Sequence, residues 1–221
     1  MYRILVFDTE TTGLPVTYDA SIMDVHNWPR IIQLSWELCW SNGDTIKKVT
    51  ELVKPDGWQV PDKAYWLAKG NTEQQANEKG KFWYDNGYTT IENTLRGKPM
   101  AELLREFIQA LNSADVLVAH NMTYDRPIIT CEMFRYGLSP TKERNEHPYG
   151  LREGALKDYC TQIGSTPVLK IPGHKGTYKW PTLDEAYRFF FKEGFEGAHS
   201  ADNDVEACKQ VYLKLMELED V

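Results

Sequence analysis

Asp8 and Glu10 stand two residues apart where the apolar run of "ILVFDTETTGLP", residues 4–15, gives way to polar residues. Residues i and i+2 of an extended chain point to the same side, so both carboxylates can face one point. Like charges held that close repel unless something positive lies between them. A divalent cation with oxygen ligands would meet that need; solvated acids opening an ordinary turn would give the same spelling. A second set follows another short apolar run in "VLVAHNMTYDRPII", residues 116–129, with His120, Asn121 and Asp125. Asp125 is open to two readings, a metal ligand or the N-cap of a helix that Pro127 helps to start. The third set is in "GAHSADNDVEAC", residues 197–208. On a helical wheel Ala201, Asp204, Cys208, Val211 and Leu215 share one face, and Asp202, Glu206 and Lys209 share another. A carboxylate within an apolar stripe needs a partner or a metal. For Asp202 a favourable charge in the first helical turn is sufficient. His199, five residues before Asp204, is either a loop or cap residue or, titrating near neutrality, a proton acceptor. His26, His120, His147 and His174 read as ordinary loop or cap residues.

These sets can act together only if the chain folds them onto one another. Residues 3–7 suit a strand buried on both faces. In 31–40 Leu34, Trp36, Leu38 and Trp40 alternate with Gln33, Ser35, Glu37 and Cys39, which is a strand period. Asn42-Gly43 signals a hairpin that returns over 45–53. Residues 55–98 read as an irregular insertion with a short helix across 73–79. After Pro99, the apolar residues Met100, Leu103, Leu104, Phe107, Ile108 and Leu111 recur at helical spacing. A buried strand is expected over 116–119, a helix over 127–136, a charged loop over 139–154 and an edge strand over 156–163. Thr182 to Glu185 spells a capping box for a helix that Gly194 ends, and the last helix starts near Ser200. The order predicts one α/β domain over 1–221 with a mixed sheet.

Composition narrows the class. The 221 residues are 42% hydrophobic and 26% charged, an ordinary globular mixture. No apolar run approaches the roughly 18 residues of a membrane span, and no basic segment leads into a long apolar one, so a cytoplasmic protein with no membrane partner is expected. The four cysteines contain no C-x-x-C, which favours structural thiols over a zinc site. A net charge of −7 disfavours a nonspecific nucleic-acid binder and leaves room for an enzyme whose acids surround cations. One basic cluster, "LKIPGHKGTYKW", holds Lys170, His174, Lys175 and Lys179; it reads as a phosphate contact or as an exposed loop. Phe82, Trp83, Tyr84 and Tyr88 either stack on bases or pack within the insertion.

Taken in chain order, D-x-E, H-N-x-x-x-D and H-x-x-x-x-D resemble the motifs of the DEDDh exonucleases, the DnaQ-like 3′→5′ exonucleases of the ribonuclease H-like fold. "FDTETTGL" looks like their first motif, "VAHNMTYD" the second, with Tyr124 for the more usual Phe, and "HSADNDVEA" the third. "KWPTLDEAYRFF" is similar to the segment before the third motif, and "KGNTEQQANEKG" echoes an H-G-I-T stretch with Lys69 in place of the His. The resemblance implies a central mixed five-stranded sheet, its first three strands antiparallel and the next parallel, flanked by helices. It implies a 3′→5′ exonuclease, similar to the epsilon subunit of DNA polymerase III, that releases nucleoside 5′-monophosphates. Two divalent ions, Mg²⁺ or Mn²⁺, would be held by Asp8, Glu10, Asp125 and Asp204, with His199 as general base. Thr11 and Leu14 would meet the terminal nucleotide, and Asn121 would orient the second motif. The partner would be a single-stranded DNA or RNA 3′ end. A homodimer is allowed, and no tether of the kind that joins proofreading subunits to a polymerase is expected. The alternative is a catalytically silent nucleic-acid-binding or complex-building domain on the same fold.

Overall fold

The apolar run at Ile4 forms strand β1, Arg3–Thr11, which continues through both acids of the first motif. The computed structural model describes residues 1–139, 156–195 and 200–219. Strand β2, Ile31–Trp40, lies antiparallel to β1 and places Glu10 opposite Gln33 and Phe7 opposite Trp36. The Asn42-Gly43 turn, with Gly43 at φ 93°, returns the chain as β3, Thr45–Lys54. Gly adopts that backbone without the Cβ penalty other residues meet. A two-residue strand β4, Lys98–Pro99, extends the β3 edge in parallel. On the other side β5, Val116–Ala119, runs parallel to β1, and β6, Lys157–Cys160, parallel to β5. The sheet order is β4-β3-β2-β1-β5-β6, which is the five expected strands plus the short β4.

Both faces are covered. On one, Leu5, Phe7, Leu34 and Trp36 pack with helix α4, Met100–Ser113, and helix α5, Met122–Arg135. Phe107 of α4 meets Phe7 at 5.5 Å and Trp36 edge-on at 6.5 Å, a ring geometry worth about 0.5–1.5 kcal/mol beyond burial. On the other face Ile4, Val6, Val116 and Val118 pack against Val205, Cys208 and Tyr212 of helix α8, Ala201–Glu219. The alternation of β2 therefore does not mark a solvent face. Ser35, Glu37 and Cys39 are buried beneath α8, and Glu37 is paired with Lys209 at 2.8 Å.

The insertion is not irregular. It forms α1, Lys63–Ala68, α2, Glu73–Asp85, and α3, Thr90–Arg96. Their N-caps are Asp62, Thr72 and Thr89, and Thr72 forms a full capping box with Gln75. The short helix expected over 73–79 is the first half of α2. Gly80 lets α2 ride on the start of α1, since a Cβ there would fall 2.5 Å from the Lys63 nitrogen. Two further boundaries differ from expectation. Helix α5 starts at Met122 rather than at 127, so Asp125 lies inside its first turn and is not an N-cap. The expected edge strand over 156–163 stops at Cys160, and α6, Thr161–Leu169, takes over. Helix α7, Leu183–Phe191, opens on the Thr182–Glu185 capping box and ends at Lys192 in a left-handed conformation, two residues before Gly194. The charged stretch 140–155, with His147, lies outside the described residues. No helix among the described residues is long and apolar enough to cross a membrane.

Candidate active site

The pleat of β1 puts Ile4, Val6, Asp8 and Glu10 on one side. Ile4 and Val6 pack on α8, so the two carboxylates that follow them face the first turn of that helix. Asp204 sits there, with its backbone N–H bonded to the Ser200 carbonyl at 3.0 Å. Carboxylate oxygens of Asp8, Glu10 and Asp204 all lie within 4.8 Å of one another. Asp202, two residues earlier, is turned to the flank, where it pairs with Lys48 at 2.7 Å and accepts from the Thr50 hydroxyl at 3.1 Å.

Asp125 reaches the cluster from the opposite face. One of its oxygens accepts from the Thr9 backbone N–H at 3.1 Å and from the Thr9 hydroxyl at 2.7 Å. Thr9 points away from Asp8 and Glu10, toward α5, as the alternation of a strand requires. The residue between the two acids thus holds the third.

The electrostatics follow from burial and crowding. Burial, then Asp125, Asp204 and Glu10, raise the Asp8 carboxyl well above its ordinary range. Glu10 is pushed up to about 8 by burial and by Asp204 and Asp125. Burial lifts Asp125 to about 7, with the Thr9 hydrogen bonds pulling against it and Asp204 adding to the rise. Carboxylates so placed hold protons or cations in preference to standing bare. The donor set is oxygen only, which suits a hard divalent ion such as Mg²⁺ or Mn²⁺.

The turn after β1 is fixed from three sides. Thr12 exchanges bonds with Arg30: its N–H donates to the Arg30 carbonyl at 2.9 Å, and its hydroxyl accepts from the Arg30 N–H at 3.0 Å. The Tyr124 hydroxyl lies 2.6 Å from the Thr11 hydroxyl and 2.8 Å from the Gly13 carbonyl. The Trp83 indole of α2 donates to the Thr11 carbonyl at 2.9 Å. The Thr11 side chain is consequently buried. Leu14 is 74% exposed, at the rim of a cleft of about 680 Å³ that Trp28, Arg30, Trp58 and Tyr136 also line. Asn121 has φ 62° and ψ 50°, the left-handed conformation that Asn tolerates better than most residues, and it bends the chain from β5 into α5. His199 lies outside the described residues.

No protein-family model matches the sequence, and no curated protein matches it either. Solved structures do match. E. coli exonuclease I, solved with a dT13 oligonucleotide, is 14% identical with a TM-score of 0.62 over 100% of this chain and 43% of its own. Exonuclease I from Methylocaldum szegediense is 17% identical with a TM-score of 0.61, over 100% and 41%. The chain thus spans about two-fifths of the exonuclease I chains. The nuclease domain of 3′hExo, a DEDDh family member solved with rAMP, is 12% identical with a TM-score of 0.55, over 98% of this chain and 92% of its own. This chain has the DEDDh exonuclease fold.

Several residues that support the site within this DEDDh fold carry no motif. Tyr88, 3% exposed, donates its hydroxyl to the Gln33 side-chain oxygen at 2.9 Å, and that same oxygen accepts from the Ala201 N–H at 3.1 Å. Gln33 lies opposite Glu10 in the ladder and so ties the insertion to the first residue of α8. Trp83 is held by its bond to the Thr11 carbonyl and Tyr88 by its bond to Gln33, Phe82 packs edge-on against Trp83 at 5.7 Å, and Tyr84 is 65% exposed. The second-motif His120 is an internal strut. Burial pushes it down to about 4, and its ring nitrogens engage the Thr161 hydroxyl at 3.0 Å and the Pro181 carbonyl at 3.1 Å. Signals for the missed residues were thin: Thr9 is flanked by motif letters, while Gln33 and Tyr88 lie far apart in sequence.

Proposed function

We propose that the chain is a metal-dependent 3′→5′ exonuclease that hydrolyses single-stranded nucleic acid from its 3′ end and releases nucleoside 5′-monophosphates. The convergence of Asp8, Glu10 and Asp204 within 4.8 Å carries this reading, with Asp125 fastened beside them by Thr9. Their shared oxygens would hold Mg²⁺ or Mn²⁺, which when bound supply the positive charge that phosphodiester hydrolysis needs. Besides burial, Asp125, Asp204 and Glu10 all raise the Asp8 carboxyl, as close like charges do. His199 takes the proton of the attacking water. The Thr11–Gly13 turn and Leu14 border the terminal nucleotide, and Asn121 sets the entry of the segment that bears Asp125. The oligonucleotide held by exonuclease I and the rAMP held by 3′hExo are substrate and product classes consistent with this chemistry. We read residues 1–221 as one catalytic domain acting on DNA or RNA ends. The test is incubation of a 3′-labelled single-stranded oligonucleotide with Mg²⁺, with and without chelator. Mononucleotide release that chelator abolishes is expected. No release at high protein concentration would overturn the reading in favour of a binding domain.

A further inference from the structure

Between α6 and α7 the chain makes a small, tightly bonded hairpin over residues 170–181. The Gly173 N–H donates to the Thr177 carbonyl and the Lys179 N–H to the Ile171 carbonyl, both at 2.9 Å, while Pro172 bridges Tyr178 antiparallel. The strands are so close that a Cβ at Gly173 would lie 2.9 Å from the Lys179 nitrogen and the Thr177 oxygen. This rigid element leaves Trp180 62% and Tyr178 49% exposed. Lys170 and His174 are exposed beside them. Lys179 keeps much of its side chain in solvent while pairing with Glu185 at 2.6 Å.

Charge distinguishes the segment from its surroundings. The chain has 32 acidic residues and a net charge of −7, yet no Asp or Glu occurs between Asp158 and Asp184. Lysines interleaved with outward aromatic rings suit a single nucleic-acid strand, whose bases stack on the rings and whose phosphates meet the amines. A duplex would bury its bases and leave the rings unused.

The base of the hairpin is tied to the residue that follows β5. Val118 lies opposite Val6 in the parallel β5–β1 pair, so β5 runs beside the strand that carries Asp8 and ends one residue before His120. The Pro181 carbonyl can only accept, so His120 Nε2 donates to it at 3.1 Å; the Gln162 amide donates to the same oxygen at 3.3 Å. Leu169 of α6, and Leu183, Ala186 and Tyr187 of α7, pack with Val211 and Leu215 of α8, so both ends of the hairpin are anchored to the helix that carries Asp204.

We infer that the 170–181 hairpin is a stacking platform for the single strand upstream of the 3′-terminal nucleotide, with Trp180 and Tyr178 as base contacts and Lys170 as a phosphate contact. The inference rests on the exonuclease reading for its substrate, and the experiment separates the two. Hydrolysis of a single-stranded 15-mer is compared with hydrolysis of a thymidine monophosphate nitrophenyl ester, which fills only the carboxylate site. In the Tyr178→Ala/Trp180→Ala variant the ratio of kcat/KM on the 15-mer to that on the ester should fall on the order of tenfold. Trp180→Phe should retain most of that ratio. Binding of the labelled 15-mer in chelator, read by fluorescence anisotropy, should weaken by a similar factor. Equal losses on both substrates, or no loss on the 15-mer, would overturn the platform. Should the wild type hydrolyse neither substrate, the exonuclease reading fails, and anisotropy alone decides: a wild type that does not bind the 15-mer, or a double variant that binds it equally well, overturns the platform too.

Discussion

Thr9 is the uncharged letter of the Asp-Thr-Glu triplet, yet its hydroxyl and its backbone N–H both hold Asp125. A buried hydrogen bond to a charged group is worth about 1.5–3 kcal/mol. Thr9→Val keeps the size of the side chain and the backbone bond but removes the hydroxyl donor. Turnover should fall on the order of tenfold, measured as mononucleotide release at saturating Mg²⁺. A separate comparison tests the register of α8. Asp204→Asn should abolish activity, whereas Asp202→Asn should keep it, because Asn can still accept from Thr50 and the lost partner is the half-exposed Lys48. Loss in Asp202→Asn with retention in Asp204→Asn would reverse the assignment. The contrast between those two acids was legible from the helical wheel alone, since Asp204 shares a face with Cys208, Val211 and Leu215. The Thr9–Asp125 bond was not legible, because nothing in a strand pattern tells which helix turn lies across from a given hydroxyl.

At the scale of elements, the insertion has work that its composition conceals. Helix α2 buries only Ala76 and Gly80, so it lacks the apolar stripe by which helices are recognised. The readable signals were helix starts: Thr72-x-x-Gln75 before α2 and Thr89-x-x-Glu92 before α3 are both capping spellings. Through Tyr88 and Gln33 this element reaches the first residue of α8, the helix that carries Asp204. Gln33→Ala removes the shared acceptor and leaves the Ala201 N–H and the Tyr88 hydroxyl without it. Amide exchange in the first turn of α8 should accelerate, while exchange in α4 should not. Activity should drop by about tenfold, the kinetic equivalent of about 1.4 kcal/mol. Unchanged exchange at the start of α8 would mean that the helix is seated by other contacts. Tyr88→Phe, which spares the Gln33–Ala201 bond, should show a smaller effect of the same kind.

On the whole-molecule scale, the sheet was largely readable because apolar runs fix strands wherever helices cover both faces. The covered polar face of β2 was not, since Glu37 is buried only by virtue of Lys209 on a helix far along the chain. The same double cover forces Asp8, Glu10, Asp125 and Asp204 into one partly buried cluster, which couples the site to the stability of the fold. A carboxyl that holds its proton more tightly in the fold than in the unfolded chain stabilises the fold at low pH and loses that contribution as pH rises through its folded value. For Asp125 and Glu10 the window runs from about 4, the ordinary carboxylate value, to about 7 and about 8. Metal-free protein should therefore lose this contribution across that range. Divalent cations compete with the same protons, so their stabilising effect should grow as pH rises. Ligand at about 100 times Kd contributes roughly 2.7 kcal/mol. The melting temperature should thus rise more on adding saturating Mg²⁺ or Mn²⁺ at about pH 8.5 than at about pH 5.5. In Asp8→Asn the increment should shrink at the higher pH, because one of the oxygens that attract the ion has lost its charge. An increment independent of pH, or one that persists in full in Asp8→Asn, would place the stabilising ion elsewhere on this acidic chain.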